Sequence, residues 1–322
     1  MACSHSRVTL LPSIETVEHY LALRGDHARL QRGVTALCDR LGLRGVDVVR
    51  FADGSLPVYA VGEQLVLKLY PPVFQDSYQV ERCVLQAIDR RLPIPTPGVE
   101  HTGQFEGWDY ILMERLHGQP LTTAWPRATA AQRQRLAAQL GEALAALHAI
   151  ITPELDALGP PDWDQFLTQQ RAGCVDRQRD CGLPSAWLDQ IPAFLNSVAL
   201  DPIARPVLLH TEVMREHLLV TPDPDGWSLS GLFDFEAAMC GATEYEFAAV
   251  GLFVSCGDAR FLRRLLLAYG YRHHQLDDAL PRQLLAYALL HRYSNLPWWL
   301  ERLPPPPTPT LDALAGHWWR LR

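Results

Sequence analysis

The feature that most constrains this sequence is a change of pattern about a third of the way along its 322 residues. Before the change, short β-branched and apolar runs alternate with turn residues, which is typical of antiparallel strands. After Gly118 the apolar residues recur at helical spacing. The pattern therefore predicts an α+β chain with two lobes: a small β-rich N-terminal lobe with an antiparallel sheet over residues 1–115, and a larger, mainly helical C-terminal lobe over residues 116–322.

The predicted elements follow this division. Residues 14–43 are predicted to form one or two helices ahead of the sheet, and residues 77–88 a further helix. Thr129 with Gln132 fits a capping box that begins a long helix in the second lobe. The predicted strands are residues 46–51, 58–61, 65–69 and 110–114 in the first lobe, and 207–210, 218–220 and 229–235 in the second.

Composition excludes several classes of protein. A formal net charge of −7 argues against a nucleic-acid partner, because contacts to phosphates supply most of that affinity, but it suits a cationic small molecule. No apolar run reaches the roughly 18 residues that a membrane span requires, and residues 1–12 lack the pattern of a secretory signal. The seven cysteines are odd in number and include no CxxC pair, which predicts a reducing, cytoplasmic location.

Lys68 is the first candidate for chemistry. It lies inside an apolar run, where a charge needs a partner, and Glu81 on the next predicted helix offers one. A strand Lys paired with a helix Glu is the arrangement that holds a Lys against the α- and β-phosphates of ATP. The alternative is an edge-strand Lys that reaches solvent. Similarly, the turn that contains Ser55 either presents backbone N–H groups to phosphates or is a plain hairpin turn.

The second candidate is residues 210–217, His-Thr-Glu-Val-Met-Arg-Glu-His, followed by Leu-Phe-Asp-Phe-Glu at 232–236. This series resembles the aminoglycoside phosphotransferase family, whose catalytic loop reads H-G-D-x-x-x-x-N and whose metal-binding strand reads D-F or D-W. The resemblance extends over nearly the whole chain. It includes a lysine strand at 66–70, an I-P-T-P entry at 94–97, a hinge at 110–118, a helix end at 144–148, and residues 241–248, where Glu246 matches a structural Asp.

The resemblance implies a protein-kinase-like bilobal fold and an ATP- and Mg²⁺-dependent O-phosphotransferase. Within the family, the lysine strand and the C-terminal half look most like hygromycin B phosphotransferases. The implied acceptor is a small hydroxylated molecule such as a cationic aminoglycoside. The implied site residues are Glu212 and His210 for catalysis, Lys68, Glu81, Ser55, Glu114 and Leu116 for the nucleotide, and Asp234 and His217 for the metal.

Three residues depart from the family pattern. Glu212 stands in place of the catalytic Asp, and its extra methylene moves the carboxylate by about 1 Å, a misplacement that can cost on the order of a hundredfold in rate. His217 stands in place of a metal-binding Asn, although Mg²⁺ prefers oxygen ligands; some family branches, including macrolide phosphotransferases, also carry His here. Thr211 stands in place of a Gly.

Two functions from different classes remain open. The first is an enzyme that phosphorylates a small molecule, an aminoglycoside-type antibiotic such as hygromycin B. The alternative is a catalytically weak or inactive relative that binds a nucleotide or another ligand, which the departures at Thr211, Glu212 and His217 favour. The absence of A-P-E and H-R-D sequences argues against a protein kinase.

Overall fold

A computed structural model describes residues 9–200 and 202–321. Most of the segment 1–12, which the sequence predicts to be no secretory signal, lies outside these residues. The described chain forms two compact units. The first contains the chain up to Asp89 together with Pro97–Leu116, and the second contains Arg90–Thr96 and the chain from His117 onward.

The first unit is built on an antiparallel sheet of five strands in the order β1-β2-β3-β5-β4. Helix α3 packs against β5 and β3, and the buried side chains of both strands form much of the core. The predicted antiparallel sheet is therefore confirmed. The elements of this unit are α1 (Val17–Leu23), α2 (His27–Arg40), β1 (Val48–Arg50), β2 (Val58–Val61), β3 (Leu65–Tyr70), α3 (Gln75–Ile88), β4 (Val99–Phe105) and β5 (Trp108–Glu114).

Strand β4 is the one strand of this sheet that the sequence pattern does not predict. It lies at the edge of the described sheet, where it pairs with β5, and its own residues are half-buried or exposed. A strand with no fully buried face lacks the apolar run on which the prediction depends. A register shift between Val99 and His101 interrupts its pairing further.

The second unit is mainly helical, as predicted. Helix α5 packs along α10, while α11 packs against α9 and α13. Its helices are α4 (Leu121–Ala124), α5 (Ala130–His148), α6 (Trp163–Asp180), α7 (Ser185–Leu188), α8 (Ile191–Ser197), α9 (Thr243–Val250), α10 (Ala259–Tyr269), α11 (Ala279–Leu290), α12 (Leu296–Arg302) and α13 (Leu311–Trp318). The predicted capping box is confirmed, since Thr129 and Gln132 exchange their two hydrogen bonds at the start of α5.

Two small β-structures hold the loops of interest in the second unit. Strands β6 (Gln119–Pro120), β8 (Leu218–Asp223) and β9 (Gly226–Leu232) form a three-stranded sheet, and β7 (Val207–Leu209) pairs with β10 (Met239–Gly241). Strand β9 ends at Leu232, so the predicted strand over 229–235 is too long. The reason is Asp234, whose φ of +73° is incompatible with extended backbone.

Within residues 9–200 and 202–321, no helix combines the length and the hydropathy that crossing a bilayer requires.

Candidate functional site

In the first unit, Lys68 and Glu81 form a buried ion pair. Lys68 lies on β3, opposite Val58 on β2 and Ile111 on β5, so the alternative of an edge-strand Lys is wrong. Its Nζ is 2.7 Å from Oε2 of Glu81 on α3, and the hydroxyl of Tyr70 donates to the same oxygen. Both charged side chains are almost completely buried. Burying two charges is costly, so this pair fixes the position of the ammonium group at a cost in stability.

The other predicted nucleotide residues occupy loops and strand ends of the same unit. Ser55 lies in the loop between β1 and β2, where its backbone carbonyl accepts a hydrogen bond from the Tyr20 hydroxyl at 2.5 Å. Glu114 is the last residue of β5, and its amide donates to the Gly98 carbonyl at 2.8 Å. Leu116 is the last residue of the first unit. A hydrogen bond from a side chain thus anchors the loop at Ser55, and a backbone hydrogen bond anchors the end of β5 at Glu114.

In the second unit, Glu246 on α9 holds the backbone of the loop that follows β7. One carboxylate oxygen of Glu246 accepts the His210 amide at 2.6 Å, and the other accepts the Thr211 amide at 3.0 Å. The Glu246 side chain is fully buried, and Nε2 of His148 lies 3.6 Å from it. A carboxylate that takes two consecutive backbone N–H groups holds the backbone just before Glu212 in one arrangement.

The tautomer of His210 follows from its partners. Nε2 of His210 is 3.0 Å from the Phe233 carbonyl, which only accepts, so Nε2 carries the proton. Nδ1 then accepts the Glu212 amide at 3.3 Å. Burial lowers the pKa of His210, which agrees with a neutral ring. His210 therefore positions the backbone of Glu212 and holds the loop to the segment before Asp234.

Thr211 adopts a backbone conformation that favours glycine. Its φ is +69°, a region that β-branched residues rarely enter. The Thr211 hydroxyl donates to the Ala237 carbonyl at 2.8 Å, and its amide is held by Glu246 at 3.0 Å. The Thr in place of a family Gly is thus accommodated by hydrogen bonds that stabilise the strained conformation.

Glu212 and His217, on this loop, lie close to Asp234 in the segment after β9. Nδ1 of His217 is 2.8 Å from the backbone carbonyl of Glu212, and Nε2 is 3.3 Å from Oδ2 of Asp234. Burial raises the pKa of the Glu212 carboxyl; the nearby His217 opposes this rise, whereas Asp234 and Glu236 add to it. Carboxylate oxygens of Asp234 and Glu236 also lie within 4.8 Å of one another.

Sequence reasoning missed Arg292, which follows α11. Its Nη2 donates to the Ala237 carbonyl, which also accepts the Thr211 hydroxyl. Its guanidinium lowers the pKa of Glu212, against the larger effect of burial. No motif marks this residue, because its relation to Glu212 exists only in the folded chain.

The architecture of an antiparallel-sheet unit and a mainly helical unit is the kinase-like fold of the aminoglycoside phosphotransferases. Residues 47–285 match the phosphotransferase enzyme family, and the chain belongs to this family. The resemblance that the sequence motifs indicate is thereby confirmed for the family. Its narrower part, the likeness to hygromycin B phosphotransferases, stays a prediction.

Solved structures show the same fold at low sequence identity. The GDP complex of wild-type aminoglycoside 2'-phosphotransferase-IIIa is 18% identical, with a TM-score of 0.67 over 80% of this chain and 87% of that one. The streptomycin–ATP ternary complex of APH(2")-IIa is 17% identical, with a TM-score of 0.59 over 79% and 89%. Macrolide 2'-phosphotransferase MphH from Brachybacterium faecium, an apoenzyme, is 18% identical, with a TM-score of 0.57 over 80% and 98%. No curated protein sequence matches this chain significantly.

Proposed function

We propose that the protein transfers the γ-phosphoryl group of ATP to a hydroxyl of a small molecule. The observation that carries this proposal is that Glu212 and His217, on a loop that His210 and Glu246 hold in place, lie close to Asp234 in the segment after β9. Phosphoryl transfer depends mainly on positioning and on charge neutralisation, and this loop supplies groups for both. The match to the phosphotransferase enzyme family supports the same reaction class.

Lys68 is the proposed contact to the nucleotide phosphates. Its ammonium group is held by Glu81 at 2.7 Å, and a Lys fixed in this way presents a positive charge in one position. The loop at Ser55 is proposed to add backbone N–H groups, and the backbone near Glu114 and Leu116 to bind the adenine. These three roles rest on the family resemblance.

The residues after β9 fit a divalent cation. Asp234 and Glu236 offer carboxylate oxygens within 4.8 Å of one another, and hard divalent cations such as Mg²⁺ are bound by oxygen ligands of this kind. Asp234 and His217 are the proposed ligands. A bound ion there supplies positive charge that offsets the charge of the phosphate oxygens.

Glu212 is the proposed base. As the acceptor oxygen forms its bond to the γ-phosphorus, the bond from that phosphorus to the oxygen of the ADP leaving group breaks, and the hydroxyl proton passes to the Glu212 carboxylate. The products are ADP and a phosphate ester. Burial raises the pKa of Glu212 above the ordinary value of a Glu carboxyl, which is about 4.3. Activity should therefore rise with pH through this raised pKa, as the carboxyl loses its proton.

An aminoglycoside-type antibiotic such as hygromycin B is the first acceptor to test. A polycationic acceptor suits a chain with a net charge of −7. Two structures of similar fold hold streptomycin with ATP and kanamycin with GDP, respectively. At 17% and 18% identity these complexes suggest acceptors for the panel, which should also include a macrolide.

A catalytically weak relative that binds a nucleotide is the second candidate. One observation favours it: Glu212 is longer than the family Asp, while the loop before it is held firmly by Glu246 at 2.6 and 3.0 Å. A rigid loop has little freedom to retreat and compensate for the extra methylene.

A turnover assay with ATP, divalent metal and the acceptor panel separates the two candidates. We expect transfer by the wild type and a loss of at least about a hundredfold in Glu212→Gln, since a general base contributes roughly 10²–10⁴ in rate. Nucleotide affinity should stay nearly unchanged in that variant. Glu216→Gln is the matched control, because Glu216 is an exposed carboxylate on the same loop.

The outcomes are distinct. Equal turnover by the wild type and Glu212→Gln excludes Glu212 as the base. Nucleotide binding without any acceptor turnover, in the wild type and also in Glu212→Asp, favours the second candidate over the enzyme.

A further inference from the structure

Arg215 joins the loop over residues 210–217 to the helix that begins as α9. Its Nε and Nη2 both donate to the backbone carbonyl of Val254, at 2.8 and 2.5 Å. Its guanidinium carbon also lies 3.7 Å from the centroid of the Trp125 ring, well within the range of a cation–π contact. The half-buried side chain is thus held by one carbonyl and one aromatic ring.

The Val254 carbonyl belongs to a π-helical turn at the end of this helix. Helix α9 continues directly into the turn Gly251–Ser255, where the Cys256 amide donates to the Gly251 carbonyl, five residues back, at 3.0 Å. The helix ends at Cys256, whose φ is +49°. The last carbonyls of a helix lack intrahelical partners and carry partial negative charge, so a guanidinium group is a suitable partner for one of them.

The π-helical turn also determines where around the helix this carbonyl lies. Neighbouring residues of an α-helix are about 100° apart around its axis, and a π-helical turn contains one residue more than an α-helical turn. In a helix that stayed α-helical to its end, the Val254 carbonyl would therefore lie roughly a quarter of a turn away. The irregular turn thus aligns this carbonyl with Arg215.

The same helix holds the loop at a second point. Glu246, in the first turn of α9, accepts the amides of His210 and Thr211 at 2.6 and 3.0 Å. Glu246 and Val254 are eight residues apart, which is roughly 12 Å along a helix. Glu212 lies in the loop between the two points of attachment. One helix therefore fixes the backbone on both sides of Glu212.

We infer that Arg215 is a positioning residue for phosphoryl transfer: with Glu246 it fastens the 210–217 loop near both ends of one helix, and the π-helical turn places the second contact. The inference rests on the proposed function in taking Glu212 as the base. It goes further in giving Arg215 and the π-helical turn a part in holding that base. The ordinary alternative is that Arg215 only adds to the stability of the fold.

The first test is amide hydrogen exchange of the full-length protein, measured by mass spectrometry of its peptides. Arg215→Lys keeps the charge, but an ammonium group lacks the planar fork that Nε and Nη2 present to one carbonyl. Local opening of the loop should become easier. We expect exchange over residues 211–217 to rise by at least about tenfold, the size of one hydrogen bond to a charged group, and exchange in α5 to stay unchanged.

The second test is turnover of ATP with the acceptor panel. Arg215→Ala should lose on the order of a hundredfold in kcat, since a misplacement of about 1 Å can cost that much, while its KM for ATP changes little. Guanidinium chloride, at concentrations too low to unfold the protein, should raise this kcat by at least about tenfold, because the free ion can replace the missing group beside Val254 and Trp125. Sodium chloride should not. A residue that only stabilised the fold would show no such rescue.

Arg264→Ala is the matched control, since it removes an exposed arginine of α10 and should leave exchange, turnover and the response to guanidinium unchanged. Wild-type exchange over residues 211–217 in Arg215→Lys overturns the inference. So does a loss of kcat in Arg215→Ala that guanidinium does not restore. If Arg215→Ala does not fold, the exchange and the kcat of Arg215→Lys decide the matter. Failure of the proposed function has a different signature: the wild type then transfers no phosphoryl group, while exchange over the loop still rises in Arg215→Lys.

Discussion

At the scale of single residues, the loop before Glu212 and the segment after β9 depend on backbone conformations that their own sequences disfavour. Thr211 and Asp234 both have positive φ, +69° and +73°, which costs about 1–3 kcal/mol each for residues other than Gly. Such strain persists only where the surroundings hold it in place, and at Thr211 they are the buried Glu246 carboxylate and the Ala237 carbonyl. The motif spacing located these residues, but no sequence pattern predicts their backbone angles.

The buried side chain of His291 should make the protein less stable in acid. Burial, with the Arg292 and Arg177 guanidinium groups nearby, lowers the pKa of His291 to about 3, and its Nδ1 accepts the Tyr293 amide at 3.2 Å. Between about pH 6.5 and 3 the unfolded chain binds a proton that the native protein does not, so stability falls as the pH falls. At pH 5 this group alone should lower the free energy of unfolding by about 2 kcal/mol relative to pH 7.5.

Urea unfolding at the two pH values tests this expectation. His291→Gln should show a smaller loss of stability on acidification than the wild type, whatever its stability at pH 7.5. His274→Gln changes an exposed histidine and serves as the control. A loss in His291→Gln as large as that of the wild type would show that His291 does not resist protonation.

At the scale of elements, what the sequence predicts well is the face that an element buries. The predicted stripe of α5 is buried at Leu136, Leu140, Leu144 and Leu147, and β3 and β5 lie at the predicted positions. Which element covers that face is not encoded in periodicity. The pairing of α5 with α10 and the edge strand β4 appear only in the structure, because both depend on contacts between distant parts of the chain.

The absence of a side chain at Gly141 allows α5 and α10 to approach closely. A Cβ at Gly141 would lie 2.3 Å from the Leu265 carbonyl oxygen and 3.0 Å from Cβ of Ala268, so the two helices pack backbone to backbone there. Gly141→Ala should therefore lower the free energy of unfolding by about 1–3 kcal/mol through overpacking.

Gly173 in α6 is the matched control, since no atom lies within 4 Å of a Cβ added to it. Gly173→Ala should raise stability by about 0.4–1 kcal/mol, because alanine restricts the unfolded chain and favours the helix. Urea unfolding of the two variants should give opposite signs. A neutral or stabilising Gly141→Ala would contradict the described contact between α5 and α10.

At the scale of the whole molecule, the order of motifs along the chain was enough to predict the fold class and the family. The Lys68 strand, the hinge, the His210 loop and Asp234 occur in one order, and a family match over 47–285 confirms the family that this order indicates. The sequence does not predict that Nε2 of His217 lies 3.3 Å from Oδ2 of Asp234. That distance depends on the path of a short loop and on the strained backbone of Asp234.

Nucleotide binding should stabilise the molecule as a whole. A ligand that binds only the native state adds about 2.7 kcal/mol when present at about a hundred times its Kd, so ATP with a divalent metal should raise the thermal midpoint by several degrees. Asp234→Asn should remove the metal-dependent part of that rise. Asp225→Asn makes the same chemical change at an exposed turn and should leave the metal-dependent rise of the thermal midpoint unchanged. Equal shifts in the two variants would mean that Asp234 does not bind the metal.

The path of the backbone through the two units bears on how this protein can be divided. Because Arg90–Thr96 belongs to the second unit, the chain passes from one unit to the other after Asp89, after Thr96 and after Leu116. A single cut between residues 116 and 117 leaves the N-terminal fragment holding a piece of the other unit, including the Pro95 carbonyl that accepts the Leu232 amide at 3.0 Å. The C-terminal fragment lacks that piece, so split halves of this chain regain a complete second unit only by complementation, when the two fragments are present together.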